Sequence, residues 1–219
     1  MDKLRLRFMK TGRAIYISHL NLMHTLSRGF SRAGVELKYS EGYNPHPQIS
    51  IALPLSVGCA SLCEILDFRL AADMPPEKLP ALLNAVMPEG IEMLECYEQQ
   101  RKVAELKYLQ VEGRFEYDER SAVEMAAALT DFYGQSEIVI RKRTKRGEGD
   151  ADIRSSVASI AFEPGEKLVR VSAVISAQEP TLNPELLAEA LRQRRPELAP
   201  DFAAFTRIET LDAGMNIYR

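Results

Sequence analysis

The hydrophobic period of this chain switches in a fixed order, and that order restricts its possible folds more than any single motif does. Residues 3–9, Lys-Leu-Arg-Leu-Arg-Phe-Met, alternate strictly, so Leu4, Leu6 and Phe8 share one face of a strand. A turn at Lys10-Thr11-Gly12-Arg13 follows. Ser18 is then a helix N-cap, with Leu20, Met23, Leu26, Phe30 and Ala33 near the helical period and Gly34 as the stop. Residues 35–39 read as a short extended piece, and 49–53 and 64–70 as strands. Pro75-Pro76-Glu77 opens a helix to residue 85, and 90–97 returns as a strand. The order is β-α-β-β-α-β, that of a split βαβ or ferredoxin-like unit.

The second half repeats this grammar. Residues 106–115 read as a strand, 120–132 as an alanine-rich helix and 137–143 as a strand entering a basic segment. Residues 152–162 are expected to be extended, 168–175 a strand, 184–192 a helix capped from Asn183 or Thr181, and 205–211 a final strand. The expected class is α+β, with two ferredoxin-like units in tandem and the second decorated. No residue identities visibly match between the halves, so any duplication is one of architecture. The polar run Gln99-Gln100-Arg101-Lys102 marks the boundary. It divides an N-terminal unit over 1–100, carrying a histidine and asparagine site, from a C-terminal unit over 101–219 with a basic arm.

A chain of 219 residues buries ample surface for a core without staples. No run approaches the roughly 18 apolar residues of a membrane span, and the N-terminus lacks the apolar stretch of a signal peptide. The expected location is the cytoplasm, with no membrane partner. Cys59, Cys63 and Cys96 are an odd, sparse set that fits a reducing compartment. Cys59-Ala-Ser-Leu-Cys63 starts like a Cys-x3-Cys-x2-Cys cluster motif, but position 66 is leucine. The cysteines are therefore read as small buried hydrophobes.

Chemistry concentrates in two segments. In Tyr39-Ser40-Glu41-Gly42-Tyr43-Asn44-Pro45-His46-Pro47, two prolines bracket a histidine and bias Asn44 and His46 toward extended geometry. A polar group fixed in advance loses less entropy on binding. Asn44 is placed to orient His46 or to hydrogen-bond a base or carbonyl. Glu41 and Asp67 are the nearest carboxylates in sequence, and Asp67, in an otherwise apolar strand, calls for a partner such as Arg69 or a histidine. In Tyr16-Ile17-Ser18-His19-Leu20-Asn21, His19 occupies the first helical position, where the dipole disfavours a protonated imidazole. His19 and His46 are the candidate catalytic pair if the two segments meet.

Neither spacing nor residue type requires His19, His46 and Asp67 to form a metal triad, and no metal is expected. A Ser–His–Asp hydrolase is disfavoured, because Ser18 is consumed by capping and no Gly-x-Ser-x-Gly turn occurs; no phosphate-binding glycine loop occurs either. Net charge is -3, so the whole molecule is no polyanion binder by composition. Arg141-Lys142-Arg143-Thr144-Lys145-Arg146 is nonetheless strongly basic, and reads either as a solvated hairpin arm or as a phosphate-contacting one.

These motifs together carry a resemblance. Lys10-Thr11-Gly12, residues 16–23, Arg32-Ala33-Gly34, residues 39–47, Ile51-Ala52-Leu53-Pro54-Leu55, Gly58, Asp67, Arg141-Lys142-Arg143 and Asp152-Ile153-Arg154 fall in order along most of the chain. They resemble the radical SAM-linked protein family, also described as a domain of unknown function. One departure is Asn21, where the family pattern has aspartate. The resemblance implies a partner of a radical S-adenosylmethionine protein, with any iron–sulfur cluster, S-adenosylmethionine and cobalamin held by that partner and none by this chain. Members of the family often sit near genes for RNA processing and ribosome components. The family has no settled activity to carry over to individual residues; the candidate binding residues are Ser18, Tyr39, Glu41, Asn44, Asp67, Arg141, Lys142, Arg143, Asp152 and Arg154.

Three functions stay open at this point. The first is an accessory protein that recognises RNA or a ribosome-associated substrate for the radical SAM partner. The second is a stand-alone RNA-processing or RNA-modifying enzyme using His19 and His46; its tandem fold and helix-start histidine resemble CRISPR RNA endonucleases. The third is a protein-interaction module.

Overall fold

The computed structural model describes residues 3–144 and 147–219; the side chains of Arg143 and Thr144, and all of Lys145 and Arg146, lie outside the description. The chain divides into two compact units, Met1–Val103 with Arg219 and Ala104–Tyr218. Both are mixed α+β with antiparallel sheets. Among the described residues no helix is long and apolar enough to cross a membrane.

The N-terminal unit runs β1 (Leu4–Lys10), α1 (His19–Arg32), β2 (Ile49–Ile51), β3 (Ala60–Phe68), α2 (Leu79–Asn84) and β4 (Ile91–Glu98). Its sheet has the order β4-β1-β3-β2, antiparallel throughout, which is the split βαβ arrangement. Leu4, Leu6 and Phe8 of β1 and Leu66 and Phe68 of β3 pack with Leu22, Leu26 and Phe30 of α1 and Leu79 and Leu83 of α2. One face of the sheet is thus covered by both helices, as the alternation and the helical period require.

Local chemistry sets the connection from β1 to α1. The fully buried Lys10 donates from Nζ to the carbonyls of Ile15 and Ile17, at 3.1 and 2.9 Å. The backbone is thereby turned so that Ser18 Oγ accepts the Asn21 N–H at 3.3 Å as the N-cap. Gly90 supports the same corner. Its φ is +85°, and a Cβ there would lie 2.4 Å from the Thr11 carbonyl oxygen.

The C-terminal unit repeats the plan. It runs β5 (Leu106–Glu116), α3 (Ala122–Tyr133), β6 (Val139–Thr144), β7 (Gly147–Asp152), β8 (Val157–Pro164), β9 (Leu168–Ser176), α4 (Glu185–Arg194) and β10 (Phe202–Asp212). With the β6–β7 hairpin set aside, the remaining elements are β-α-β-β-α-β with strand order β10-β5-β9-β8. The hairpin is the decoration, inserted between α3 and β8 as a separate two-stranded sheet.

Several boundaries differ from those read in the sequence: the strand at 64–70 runs from Ala60 to Phe68, the helix opened at Pro75 starts as α2 only at Leu79, the final strand runs from Phe202 to Asp212, and β7 has no counterpart among the expected strands. The strand at 49–53 shortens to Ile49–Ile51, close to Pro54, which has no N–H to donate. The segment 152–162 is broken by a turn at Arg154–Ser156. Asp152 makes that break: its Oδ1 accepts the N–H groups of Ile138 and Arg154, each at 2.9 Å, and Oδ2 accepts that of Ser155 at 3.2 Å. Asn183 Oδ1 accepts the Glu185 N–H at 3.2 Å, so the helix start uses Asn183 rather than Thr181, whose hydroxyl donates to the Ala177 carbonyl.

Candidate functional site

The loop over 40–46 is a closed excursion. Tyr39 and Pro47 pair as an isolated bridge at its neck. Below the neck, the Lys38 N–H donates to Arg69 O, the Arg69 N–H to Gln48 O and the Gln48 N–H to Lys38 O. Gln48 Nε2 adds a bond to the Tyr39 carbonyl at 3.2 Å. His46 is therefore fixed by more than its flanking prolines. Ser40 Oγ accepts the His46 N–H at 3.1 Å and lies 2.9 Å from Nδ1, while Ser40 N–H donates to His46 O at 2.9 Å. Asn44 approaches Nδ1 through its backbone carbonyl, at 3.5 Å, not through its side chain as expected. The tip residues Glu41, Tyr43, Asn44 and His46 are exposed.

His46 shares a cleft of about 240 Å³ with Lys3, Pro47, Gln48, Ile49, Ser50, Asp67 and Arg69. Strand register explains the grouping. Tyr97, Arg5, Asp67 and Ser50 are directly paired from β4 through β1 and β3 to β2, so they point to one face, the face away from the helices. Lys3 and Arg69, two residues beyond Arg5 and Asp67 and just outside the ends of β1 and β3, fall on the same side. The floor of this region is an ion pair. Arg5 Nε donates to Asp67 Oδ1 at 2.7 Å and Nη2 donates to Oδ2 at 3.1 Å, a two-pronged contact with Arg5 0% and Asp67 3% exposed. Gln99 Nε2 donates to Oδ2 at 2.9 Å, and Lys3 Nζ stands 3.3 Å from it. The expected partners of Asp67, Arg69 or a histidine, are thus replaced by Arg5, Gln99 and Lys3. Both carboxylate oxygens are engaged, which removes Asp67 from any histidine–carboxylate dyad.

His19 is elsewhere. It is exposed at the start of α1, beside the Lys10 end of β1, whereas Asp67 and His46 lie toward the Leu4 end. Helix α1 has 14 residues and returns from one end to the other, a span of about 20 Å at 1.5 Å per residue. The structure brings His46 and Asp67 together and leaves His19 and Ser18 at the opposite end. Tyr39, half-exposed, lines a separate cleft with Ser31, Gly34, Val35, Glu36 and Leu37. Among the described residues no group of three or more His, Cys, Asp or Glu side chains is placed to hold a metal. Cys59 and Cys63 are buried, and burial pushes the Cys96 thiol up to about 12.

The basic arm is the β6–β7 hairpin, in which Arg141, Lys142 and Arg143 lie opposite Asp150, Gly149 and Glu148. Arg141 Nε pairs with Glu148 Oε2 at 3.2 Å, and Gln193 of α4 accepts the Arg141 N–H and donates to its carbonyl. Arg141 is thus paired with the acidic strand through Glu148. Asp152 and Arg154 form the turn after the hairpin, with Arg154 Nη1 donating to the Val157 carbonyl at 2.7 Å. Burial acts to raise the Asp152 carboxyl, but the backbone N–H groups of Ile138 and Arg154 and bonds from Ser155 outweigh it and hold the group below the usual carboxylate range. Both residues build this turn.

Sequence reasoning passed over Lys3, Arg5, Gln48, Ser50 and Gln99. The signal was present in the same alternation that revealed β1: Lys3, Arg5 and Arg7 occupy the face opposite Leu4, Leu6 and Phe8. Read alone, such a stripe is a solvated face, and strand pairing gives it counter-ions, Asp67 for Lys3 and Arg5 and Glu95 for Arg7.

No curated protein matches the chain. A crystal structure of an unknown protein from Galdieria sulphuraria is 9% identical, over 93% of this chain and 95% of that one, with a TM-score of 0.27. A crystal structure of a putative glycine cleavage system transcriptional repressor is 10% identical, over 94% and 98%, with a TM-score of 0.25. Neither likeness bears on fold or function at these scores. A family model described as an uncharacterized protein conserved in bacteria, DUF2344, matches residues 3–184, most of the described chain, and the protein belongs to that family.

Proposed function

We propose that this protein recognises an anionic substrate, RNA in the first instance, and presents it to a radical SAM partner, rather than carrying out the chemistry itself. The observation that carries the reading is the cationic lining of the cleft beside the 40–46 loop. Lys3 and Arg69 line it together with His46 and Asp67, and the Asp67 oxygens are already engaged by Arg5, Gln99 and Lys3. Clustered cations of this kind displace counterions from a phosphate backbone. The rigid neck of the 40–46 loop adds exposed polar and aromatic groups, His46, Asn44 and Tyr43, beside that face. Aromatic groups of this kind stack on unpaired bases. The distance between His19 and His46 favours recognition over two-histidine catalysis. The partner, and the cluster and cofactors it would hold, rest on the motif resemblance alone.

The test uses the full chain and a labelled single-stranded RNA titrated at 50 and 200 mM salt. Affinity is expected to fall linearly with log salt, and to fall further when Lys3 or Arg69 is replaced by glutamine. Salt-independent binding, or none, sinks the RNA reading. Metal-free RNA cleavage that disappears in His46→Ala would instead support a stand-alone enzyme. Repeated capture from the native host without any radical SAM protein would remove the partner.

A further inference from the structure

We propose that the cleft between the C-terminal end of α1 and the extended segment 35–39 takes the guanidinium of an arginine side chain, and that the partner it fits is an arginine-bearing protein segment. This does not rest on the RNA reading above, which uses a different cleft. Three features lead to it.

The first is the polarity left available. The cleft is lined by Ser31, Gly34, Val35, Glu36, Leu37 and Tyr39, with no lysine or arginine among them. Much of its backbone is already engaged. The N–H groups of Gly34 and Val35 donate to the Ser31 and Phe30 carbonyls at 3.2 and 3.0 Å, and the Glu36 carbonyl accepts the Ala71 N–H at 2.8 Å. Ser31 Oγ gives its proton to the Ser27 carbonyl at 3.3 Å, which leaves that oxygen an acceptor. The Glu36 side chain is exposed and has no ion pair among the described residues. Of the cations nearest in sequence, Arg32 turns Nη2 to the Val86 carbonyl at 2.8 Å, and Lys38 does not line the cleft.

The second is the field. Helix α1 ends at Arg32, and the C-terminal end of a helix carries about half a negative charge. The helix end and the Glu36 carboxylate thus bring the same sign to the cleft from two elements. A phosphate or carboxylate is repelled there, and a cation is held.

The third is shape. Tyr39 is half-exposed, and its position is fixed by the bridge to Pro47 and by the Gln48 Nε2 bond to its carbonyl at 3.2 Å. Val35 and Leu37, both buried, supply apolar surface beside it. An aromatic face attracts a cation, and a planar guanidinium stacks on it where a strongly hydrated ammonium does not. Gly34 has φ +69° and no atom within 4 Å of where a Cβ would stand, so the helix end leaves the cleft open. Its volume of about 500 Å³ lies within the range of about 300–1,000 Å³ typical of ligand pockets, and admits an arginine side chain with flanking backbone.

The experiment titrates the full chain with blocked pentapeptides in which glycines flank one arginine, citrulline or lysine, followed by NMR at the Gly34 and Glu36 amides. The arginine peptide is expected to bind at least about fivefold more tightly than the citrulline one, which keeps the shape and lacks the charge, and more tightly than the lysine one. Glu36→Gln and Tyr39→Leu are each expected to bring the arginine-to-citrulline ratio to within about twofold, while Tyr39→Phe keeps it. Thermal midpoints report folding, and Tyr39→Phe and Glu36→Gln keep the test decisive if Tyr39→Leu weakens the loop neck. Absence of binding, equal binding of arginine and citrulline, or shifts that miss Gly34 and Glu36 overturn the site. Lysine binding as tightly as arginine overturns the guanidinium assignment. An arginine preference that survives both Glu36→Gln and Tyr39→Leu overturns it as well. Each of these failures leaves salt-dependent RNA binding standing, because Lys3 and Arg69 line the other cleft.

Discussion

Replacing Asp67 with leucine tests the central contact of the N-terminal unit. The substitution takes away the acceptor of two Arg5 donors, Nε at 2.7 Å and Nη2 at 3.1 Å, at a site where neither side chain is more than 3% exposed. Breaking one side of a buried pair costs about 3–5 kcal/mol, because the remaining charge is stranded away from water. Gln99 and Lys3 also lose a partner, but both are partly exposed and can turn to solvent. Against a domain stability of about 5–15 kcal/mol, the loss is a large fraction. At about 4–8 °C per kcal/mol for a unit of this length, it corresponds to a fall of more than about 12 °C in the N-terminal transition. The assay is urea unfolding of Asp67→Leu, Arg5→Met and the double variant, followed by a probe in the N-terminal unit. Two buried charges removed together should cost less than the sum of the singles, with a coupling energy of about 2 kcal/mol or more. An Asp67→Leu variant within about 1 kcal/mol of the parent, or strict additivity, would refute the assignment of a desolvated pair.

Other expectations are narrower. Asp152 has its carboxyl held low in the folded chain, so its contribution is present above the unfolded value and lost as pH falls through the folded one, below about pH 4. Asp152→Asn should therefore flatten the acid limb of the C-terminal unit's stability profile; an unchanged limb counts against the turn role. Gly90→Ala should destabilise by more than about 1 kcal/mol, since it combines positive φ with a Cβ 2.4 Å from Thr11 O, and an unaltered urea midpoint would contradict that. Ser40→Ala should speed hydrogen exchange at the His46 amide, whose acceptor is Ser40 Oγ at 3.1 Å, without moving the global midpoint. Cys96, with its thiol at about 12, should alkylate far more slowly at pH 8 than a free thiol does.

Legibility in the sequence followed the range of the interaction. The Ser18 cap, the Gly34 stop and the alternation in β1 are all set by neighbours within a few residues, and each was readable. The turn at Asp152 was missed because a side chain accepting three N–H groups looks, in sequence, like any polar residue at a strand end. The partner of Asp67 was misread for a different reason. Arg69 is two residues away on the same strand face, yet the bonds go to Arg5, 62 positions upstream, because antiparallel register sets the two directly opposite.

By itself, then, the sequence determined the element order of the N-terminal unit and, apart from β7, of the C-terminal one, together with the caps that start and stop α1 and the 40–46 loop as a place of concentrated polarity. These rest on period and local hydrogen bonding, which a chain carries without knowing its partners. Only the tertiary structure decided which charges meet. Strand pairing carried the stripe Lys3-Arg5 to Asp67 and Arg69, and the length of α1 set His19 far from His46. A one-residue slip in register would turn Arg5 to the helix side and dissolve the site. The burial of Leu4, Leu6 and Phe8 against the helices forbids that slip, so the core fixes the chemistry of the opposite face.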